Sequence, residues 1–331
     1  MKSKKMKSKI LEYKNIKKYI MQKKLILVSI AIIFVLASCK KDTKTTSGTP
    51  PAAPRLIFKF KFDSTQVRLN GFGQTDTLMP SNHRGQSPRF NGMSGHYIEM
   101  AQSDMTGLGQ GVVLYKASEV TTGITTGTFT TAIDFDKCKV VGNNEEFYSV
   151  PLSSVPAGTY KWLRVSLAYQ NYDITYKSSS IPGNGLGTGT IASFIGYNTY
   201  INSYKIKTQT VAVNLNKLQG YWGFETTVLG TTYTAFGQAP SGATTVVNPL
   251  FATSPIPAGS CLATGQFRNS GGAFQLFTIT GNETKDVVLV VSLSTNKSFE
   301  WVEHGGDSYY EPAADTVVDM GIRGLIPFIQ P

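Results

Sequence analysis

The stretch VPAGTYKWLRVSLAY, residues 155–169, decides the fold class because it contains a turn that leads directly into a strand. Pro156 fixes its own φ, and Gly158 suits the last position of a type I turn that starts at Val155. Beyond the turn, large apolar side chains recur at alternate positions with one slip in phase, as at a β-bulge. The stretch therefore predicts a corner turn followed by a long, half-buried strand.

A near copy of the turn, IPAGSC, occupies residues 256–261, which predicts a second corner of the same kind. It ends in Cys261, and Cys138 is the other cysteine of the body. Outside the cytoplasm these two could form a disulfide. Such a bond would close a loop of over a hundred residues and stabilise the fold by about 4–5 kcal/mol in the chain-entropy model. Alternatively, both remain buried free thiols.

Period-two patterns recur along the rest of the chain. The sequence RLIFKFKFD at 55–63 alternates apolar and basic residues. A weaker pattern at 211–215 alternates Val, Val and Leu with Ala and Asn, and 287–293 is an almost continuous β-branched run suited to a central strand. Turn-forming clusters separate these segments, and convincing helical patterns are nearly absent. The body, 55–331, is therefore predicted to be an all-β antiparallel β-sandwich, either one compact domain or two sandwich halves divided near 178–190.

The N-terminus reads as a secretory signal. Residues 1–24 are lysine-rich, the apolar run 25–36 is too short to span a bilayer, and small residues precede Cys39. A second suitable start at Met21 suggests that residues 1–20 are an over-extended start. The sequence Leu-Ala-Ser-Cys at 36–39 resembles the lipobox of bacterial lipoproteins. The resemblance implies cleavage after residue 38, acylation of Cys39, and stable anchoring by more than one acyl chain.

Removal of the signal changes the charge of the protein. Residues 1–38 contain ten lysines and one glutamate, which account for +9 of the net charge of +11. Residues 39–54 then form a Thr- and Pro-rich tether that contributes the remaining +2. The body is close to neutral, so the sequence gives no support to nucleic-acid binding.

Known catalytic motifs are absent from the sequence. There are three histidines and neither H-E-x-x-H, C-x-x-C nor G-x-S-x-G. Asp134 and Asp136 lack the further oxygen ligands of a calcium loop, and we expect both to face solvent. Glu145 and Glu146 are adjacent and would face opposite sides of a strand. We therefore predict a protein that is not an enzyme and has no catalytic residues, although a surface polymer hydrolase built from distant carboxylates stays a weaker alternative.

A methionine- and histidine-rich segment offers a different alternative. The sequence NGMSGHYIEM at 91–100 places His96 between Met93 and Met100, with Met105 beyond and His83 upstream. Thioethers and imidazole suit copper(I). The competing interpretation, which we favour, is that the methionines pack in the core, so no metal ligand and no cofactor is predicted.

Aromatic residues could supply a binding surface. The candidates for sugar stacking are Trp162, Trp222, Trp301, Tyr169, Tyr172, Tyr176 and the pair Tyr309 and Tyr310. Trp162 lies in an alternating strand and is expected in the core. Trp222 is flanked by glycines and the Tyr309–Tyr310 pair follows a glycine turn, so these are the aromatic residues to test for exposure.

The N-terminal segment as a whole resembles Bacteroidota-type outer-membrane lipoproteins, in which Lys and Asp often follow the lipidated cysteine. The 155–169 segment resembles a strand–turn–strand signature of immunoglobulin-like and prealbumin-like sandwich modules, found in MbnP-like copper-binding lipoproteins and fimbrillin-type pilus proteins. The resemblance implies a lipid-anchored protein of the outer membrane, facing the periplasm or the surface. It would bind a ligand, glycan or protein partner or act in adhesion or assembly, with a copper-binding MbnP-like role as the alternative.

Overall fold

The computed structural model of the protein describes residues 53–70, 73–76, 78–121, 130–239 and 262–330. Residues Ala53–Pro331 form one compact unit. The predicted signal, Cys39 and most of the predicted tether lie outside the described residues, as does the second turn copy at 256–261. The described residues are all-β, with no α-helix, and none of their helical turns has the length and apolarity of a membrane span.

Two 3₁₀ turns interrupt the strands, at Phe135–Lys137 and Leu152–Ser154. The strands are β1 (Arg55–Asp63), β2 (His83–Gln86), β3 (Arg89–Ala101), β4 (Val112–Lys116), β5 (Glu119–Val120), β6 (Ala132–Asp134), β7 (Glu146–Pro151), β8 (Gly158–Tyr160), β9 (Trp162–Lys177), β10 (Leu186–Phe194), β11 (Asn198–Lys205), β12 (Thr210–Leu218), β13 (Tyr221–Val228), β14 (Thr231–Gln238), β15 (Leu262–Gln266), β16 (Phe277–Ile279), β17 (Val287–Ser294), β18 (Phe299–Val302), β19 (Thr316–Asp319) and β20 (Leu325–Ile329).

The strands of the described residues form four sheets, together with the two-stranded pair β16–β8. The N-terminal sheet has the order β20-β17-β1-β7, and the long sheet has the order β14-β13-β10-β9-β3-β4, with β15 also pairing β9. The upper sheet has the order β12-β11-β6-β5 and the C-terminal sheet the order β19-β18-β2. Most pairs are antiparallel, as predicted, but β1 pairs β17 and β11 pairs β6 in parallel.

The main core lies between the N-terminal sheet and the first part of the long sheet. Alternation places Phe58 and Phe60 of β1 in this core, while Lys59 and Lys61 face outward, as the sequence predicts. The β-branched run of β17 is the predicted central strand, with β1 on one side and β20 on the other. The all-β sandwich prediction is therefore confirmed.

The long strand β9 extends past this core, and its second part is covered on both faces. One face packs against the upper sheet through Phe194, Tyr204 and Tyr221. The other face packs against the C-terminal sheet in a cluster that contains Tyr172 and Trp301. The loop between β9 and β10, within the predicted division at 178–190, joins two neighbouring strands of one sheet.

The predicted corner at 155–160 is built differently from a type I turn. The tight turn comes earlier, at Leu152–Ser154, where the Val155 N–H donates to the Leu152 carbonyl at 3.0 Å. The hydroxyl of Tyr160 then donates to the carbonyl of Pro156 at 2.7 Å. The role of the motif is thus structural, as expected, and Tyr160 fixes it by a side-chain hydrogen bond that the turn pattern does not indicate.

Candidate functional site

A cavity of about 490 Å³ lies between the long sheet and the C-terminal part of the chain, a size typical of small-molecule sites. We call it the aromatic cavity. The long sheet contributes Ile174, Ile191, Trp222, Phe224, Ala235 and Gln238, followed by Ala239, and the facing wall consists of Phe299, Tyr310, Pro312, Asp315, Thr316, Val317 and Met320. This lining is largely apolar, so the cavity favours an uncharged ligand surface.

Glycines in the long sheet create the space for this cavity. Gly237 pairs with Trp222 across β13 and β14, and a Cβ on Gly237 would lie 2.8 Å from Cζ2 of Trp222. A Cβ on Gly189 of β10 would overlap the ring of Phe224. The two rings therefore lie over backbone that carries no side chain, rather than standing upright in the layer above the sheet. This arrangement turns aromatic surface toward the cavity, where a flat ligand can stack on it.

The polar groups of the cavity hold its outer wall in position. Asp315 accepts hydrogen bonds from the backbone N–H of His304 at 2.9 Å and of Glu311 at 2.8 Å. Burial, together with the nearby charge of Asp315, raises the pKa of Tyr310 to about 12, so its hydroxyl stays protonated at neutral pH. Asp315 is the one carboxylate among the described lining residues. The cavity as described thus lacks the paired acid and base that hydrolysis of a glycoside requires.

A second cavity of about 420 Å³ lies farther along β13 and β14, toward the turn that joins them. Its lining includes Tyr176 of β9, Thr226 of β13 and Tyr233 of β14. Tyr176 and Phe224 meet edge to face with ring centroids 5.6 Å apart, and each lines one of the two cavities. These two rings therefore form the boundary between the cavities.

The structure separates the aromatic candidates into core and cavity. Trp162, Trp301, Tyr169, Tyr172 and Tyr176 are buried, as expected for Trp162. Trp222 and Tyr310, by contrast, are half-buried and line the aromatic cavity, while Tyr309 is exposed beside it.

Sequence reasoning missed Phe224, Phe299 and the segment 312–320, all of which line the cavity. One sequence signal could have indicated Phe224: it lies two residues after Trp222, on the same face of a strand, and the next strand contains Gly237.

The methionines and histidines proposed for copper are spread over different environments. Met93 and Met100 are packed in the main core, as the favoured interpretation has it, whereas Met105 is exposed. His96 lies 2.9 Å from a carboxylate oxygen of Glu119, and burial lowers its pKa in spite of that carboxylate.

His83 is held elsewhere, with its Nδ1 2.7 Å from Glu300 on β18. Within the described ranges, no group of three His, Cys, Asp or Glu residues is arranged to hold a metal.

The carboxylates singled out in the sequence serve local structure. Asp134 is buried, so the expectation that it faces solvent is wrong: the strand ends there and a 3₁₀ turn lets Lys137 reach its carboxylate at 2.9 Å. Asp136 is exposed, as expected. Glu145 accepts the backbone N–H of Gly142 at 2.8 Å in a turn, and Glu146 accepts the hydroxyl of Ser149 at 2.7 Å.

The cysteine predictions fall mainly outside the described residues. Cys39 and Cys261 are not described, so lipidation and a bond between Cys138 and Cys261 stay predictions. Cys138 is half-buried, and its Sγ lies 3.5 Å from the carbonyl oxygen of Asp134. Burial raises the pKa of this thiol to about 11, which makes it unreactive at neutral pH.

Comparison with known proteins gives no relative. No protein-family model, no curated protein and no solved structure matches this chain.

Proposed function

We propose that this protein is a lipid-anchored lipoprotein of the bacterial outer membrane that binds a small ligand in the aromatic cavity without transforming it. The observation that carries the binding role is the cavity itself, with the rings of Trp222 and Phe224 lying over glycines. The anchor rests on the apolar run and the lipobox-like sequence that ends at Cys39.

The lining favours a ligand with a flat, uncharged face, such as a sugar ring or an aromatic group. Stacking on indole and phenyl faces stabilises such a ligand. The protonated hydroxyl of Tyr310 could donate one hydrogen bond to it. A non-enzymatic role fits a lining in which the described carboxylate, Asp315, is already occupied by two backbone N–H groups.

Filling the cavity from the edge strand tests the binding role. Ala235 lines the cavity on the exposed strand β14, so Ala235→Phe should occupy the ligand space at little cost to folding. We expect it to weaken binding of Nile red, a flat neutral dye, by about tenfold or more in the compact unit 53–331. Dye fluorescence titration measures the affinity, and a panel of neutral oligosaccharides competing with the dye identifies the ligand class.

The matched control is Thr234→Phe, which adds the same ring one residue earlier, on the opposite face of β14. It should leave the affinity for Nile red unchanged. Equal affinity of the wild type and both variants would contradict a binding role for this cavity.

Replacing Cys39 tests the anchor. Cys39→Ser removes the thiol to which the lipid would be attached, so we expect loss of incorporated labelled fatty acid and accumulation of the uncleaved precursor. Metabolic labelling followed by electrophoresis measures both effects. Cys138→Ser serves as the control and should be labelled normally. Continued labelling of Cys39→Ser would contradict the anchor.

A further inference from the structure

One end of the main sandwich is the place where the chain enters the folded body. The carbonyl of Pro54, just before β1, accepts the N–H of Leu152 at 2.8 Å. Trp162, at the start of β9, pairs with Ala101 of β3 on one side and with Gln266 of β15 on the other. The loops that follow β3 and β15, at 102–111 and 267–276, therefore leave the long sheet at the same level. Phe62, near the end of β1, lies against Phe90 at the start of β3, with ring centroids 5.4 Å apart, so β1 begins at the level where β3 ends. We call this region the entry end.

The two loops of the entry end expose large apolar side chains. On loop 102–111, Met105 is 65% exposed and Leu108 38% exposed. On loop 267–276, Phe274 is 64% exposed and Leu276 54% exposed. Four large apolar side chains are thus exposed on two loops at the same end of the long sheet, a concentration that commonly marks an interaction site.

A buried ion pair holds loop 102–111 in shape. Glu99 and Arg164 have no exposed side-chain surface and lie 3.4 Å apart. Arg164 donates to the carbonyls of Thr106 at 2.6 Å and Gly107 at 3.2 Å, and a Glu99 oxygen accepts the N–H of Gly111 at 2.7 Å. A buried ion pair adds little net stability compared with apolar residues of similar size, so its distinctive effect here is to fix the loop.

The second loop is also ordered by local contacts. Arg268 donates to the carbonyl of Gly272 at 3.0 Å and lies over the ring of Phe274, 4.5 Å from its centroid. Between them, the two loops carry one acid, Asp104, and one base, Arg268, so the surface is close to neutral. A partner that contacts it would therefore be held by apolar burial rather than by charge.

We propose that the entry end contacts the surface of the membrane that holds the lipid anchor, with the apolar side chains of both loops inserted at the boundary between headgroups and acyl chains. This inference rests on the proposed anchor at Cys39. Residues 40–53 separate that anchor from Pro54, and the flexible tether that their composition predicts would span roughly 20 Å. The tether therefore keeps the entry end close to the bilayer.

The opposite end of the long sheet is out of reach of the bilayer in this orientation. The turn between β13 and β14 carries Leu229, which is 81% exposed, and lies at the level of Tyr176 and Lys177 near the end of β9. From Trp162 to Lys177, β9 extends about 50 Å at the usual rise per residue of a strand. Leu229 is thus an internal reference for a position far from the membrane.

An added tryptophan at each end tests the orientation. Phe274→Trp and Leu229→Trp would be produced as the full lipidated chain and incorporated into phospholipid vesicles with or without brominated acyl chains. We expect bromine to quench more than about half of the emission that the indole adds at position 274, because an interfacial side chain reaches the acyl boundary. Emission added at position 229 should be unchanged.

The outcomes separate this inference from the anchor. If the protein is acylated and bound to vesicles but emission from Phe274→Trp is not quenched, the membrane contact is wrong and the anchor stands. Quenching at both positions would also overturn the proposed orientation. If acylation is absent, the anchor is wrong and the membrane contact falls with it.

Discussion

Replacing Arg164 by methionine is expected to lower the free energy of unfolding by about 3–5 kcal/mol. The change leaves the carboxylate of Glu99 fully buried without its opposite charge, and it removes the donors from the carbonyls of Thr106 and Gly107. Urea unfolding of the compact unit 53–331 measures the loss. Arg55→Met is the control, because Arg55 is an exposed ion-pair partner of Asp286 at 3.1 Å and should contribute less than about 1 kcal/mol.

A double variant separates stability from loop order. Adding Glu99→Met to Arg164→Met removes the unpaired charge, so most of the lost stability should return. The backbone N–H groups of Gly109 and Gly111 donate hydrogen bonds to Glu99 at 3.1 and 2.7 Å. The double variant removes this acceptor, so hydrogen exchange of both N–H groups should accelerate. A double variant that is no more stable than the single variant would contradict this account of the ion pair.

Glu300→Gln is expected to cost a similar amount, about 3–5 kcal/mol at neutral pH. The carboxylate of Glu300 is buried and accepts hydrogen bonds from Arg68 and, at 2.7 Å, from Arg323. It therefore ties the segment before β2 and the segment before β20 to β18. The variant leaves two buried guanidinium groups without this charge. Urea unfolding measures the loss, and Glu146→Gln on the more exposed strand β7 is the matched control.

The pH dependence of the Glu300 effect has a definite sign. Burial raises the pKa of Glu300. Hydrogen bonds from Arg68 and His83 and the nearby guanidinium charges lower it by more, so the pKa lies below its ordinary value of 4.5. Stability from a carboxylate with a lowered pKa is complete above the unfolded value and is lost as the pH falls through the folded value. The difference between wild type and Glu300→Gln should thus be largest above about pH 5 and shrink in acid. A stability difference between the two proteins that does not change with pH would contradict a stabilising role for the ionised Glu300.

Alternation predicts the strands of this protein well where one face of a sheet is covered. It locates β1 because Phe58 and Phe60 face the core while Lys59 and Lys61 do not. It describes β9 less well, because both faces of that strand are covered and almost every position is buried. The slip in phase predicted between Trp162 and Val165 is wrong, because the pairing of β9 with β3 is continuous there. The irregularity lies farther along, at Ala168, which this pairing skips. Single-sequence patterns therefore indicate where strands lie better than how each face is covered.

Pairings between distant segments explain most of what the sequence does not predict. Arg164 and Glu99 lie on neighbouring strands, and alternation alone treats both as solvent-facing charges. The aromatic cavity depends in the same way on Trp222 and Phe224 meeting Phe299 and Tyr310 of a distant segment. The glycines next to Trp222 predict a special position there, but the opposite wall is known only once the sheets are assembled.

The parallel pairing of β1 with β17 also determines the order in which the protein can form. The N–H of Arg55 bonds to Asp286, which lies 231 residues later in the chain. At a synthesis rate of 5–20 residues per second, Asp286 and the start of β17 are made about 10–50 s after β1. During that interval the apolar side chains of β1 have no complete core to enter. The first of the described strands to be synthesised is thus among the last to gain all its neighbours, and the sandwich is completed only after almost the whole chain has been made.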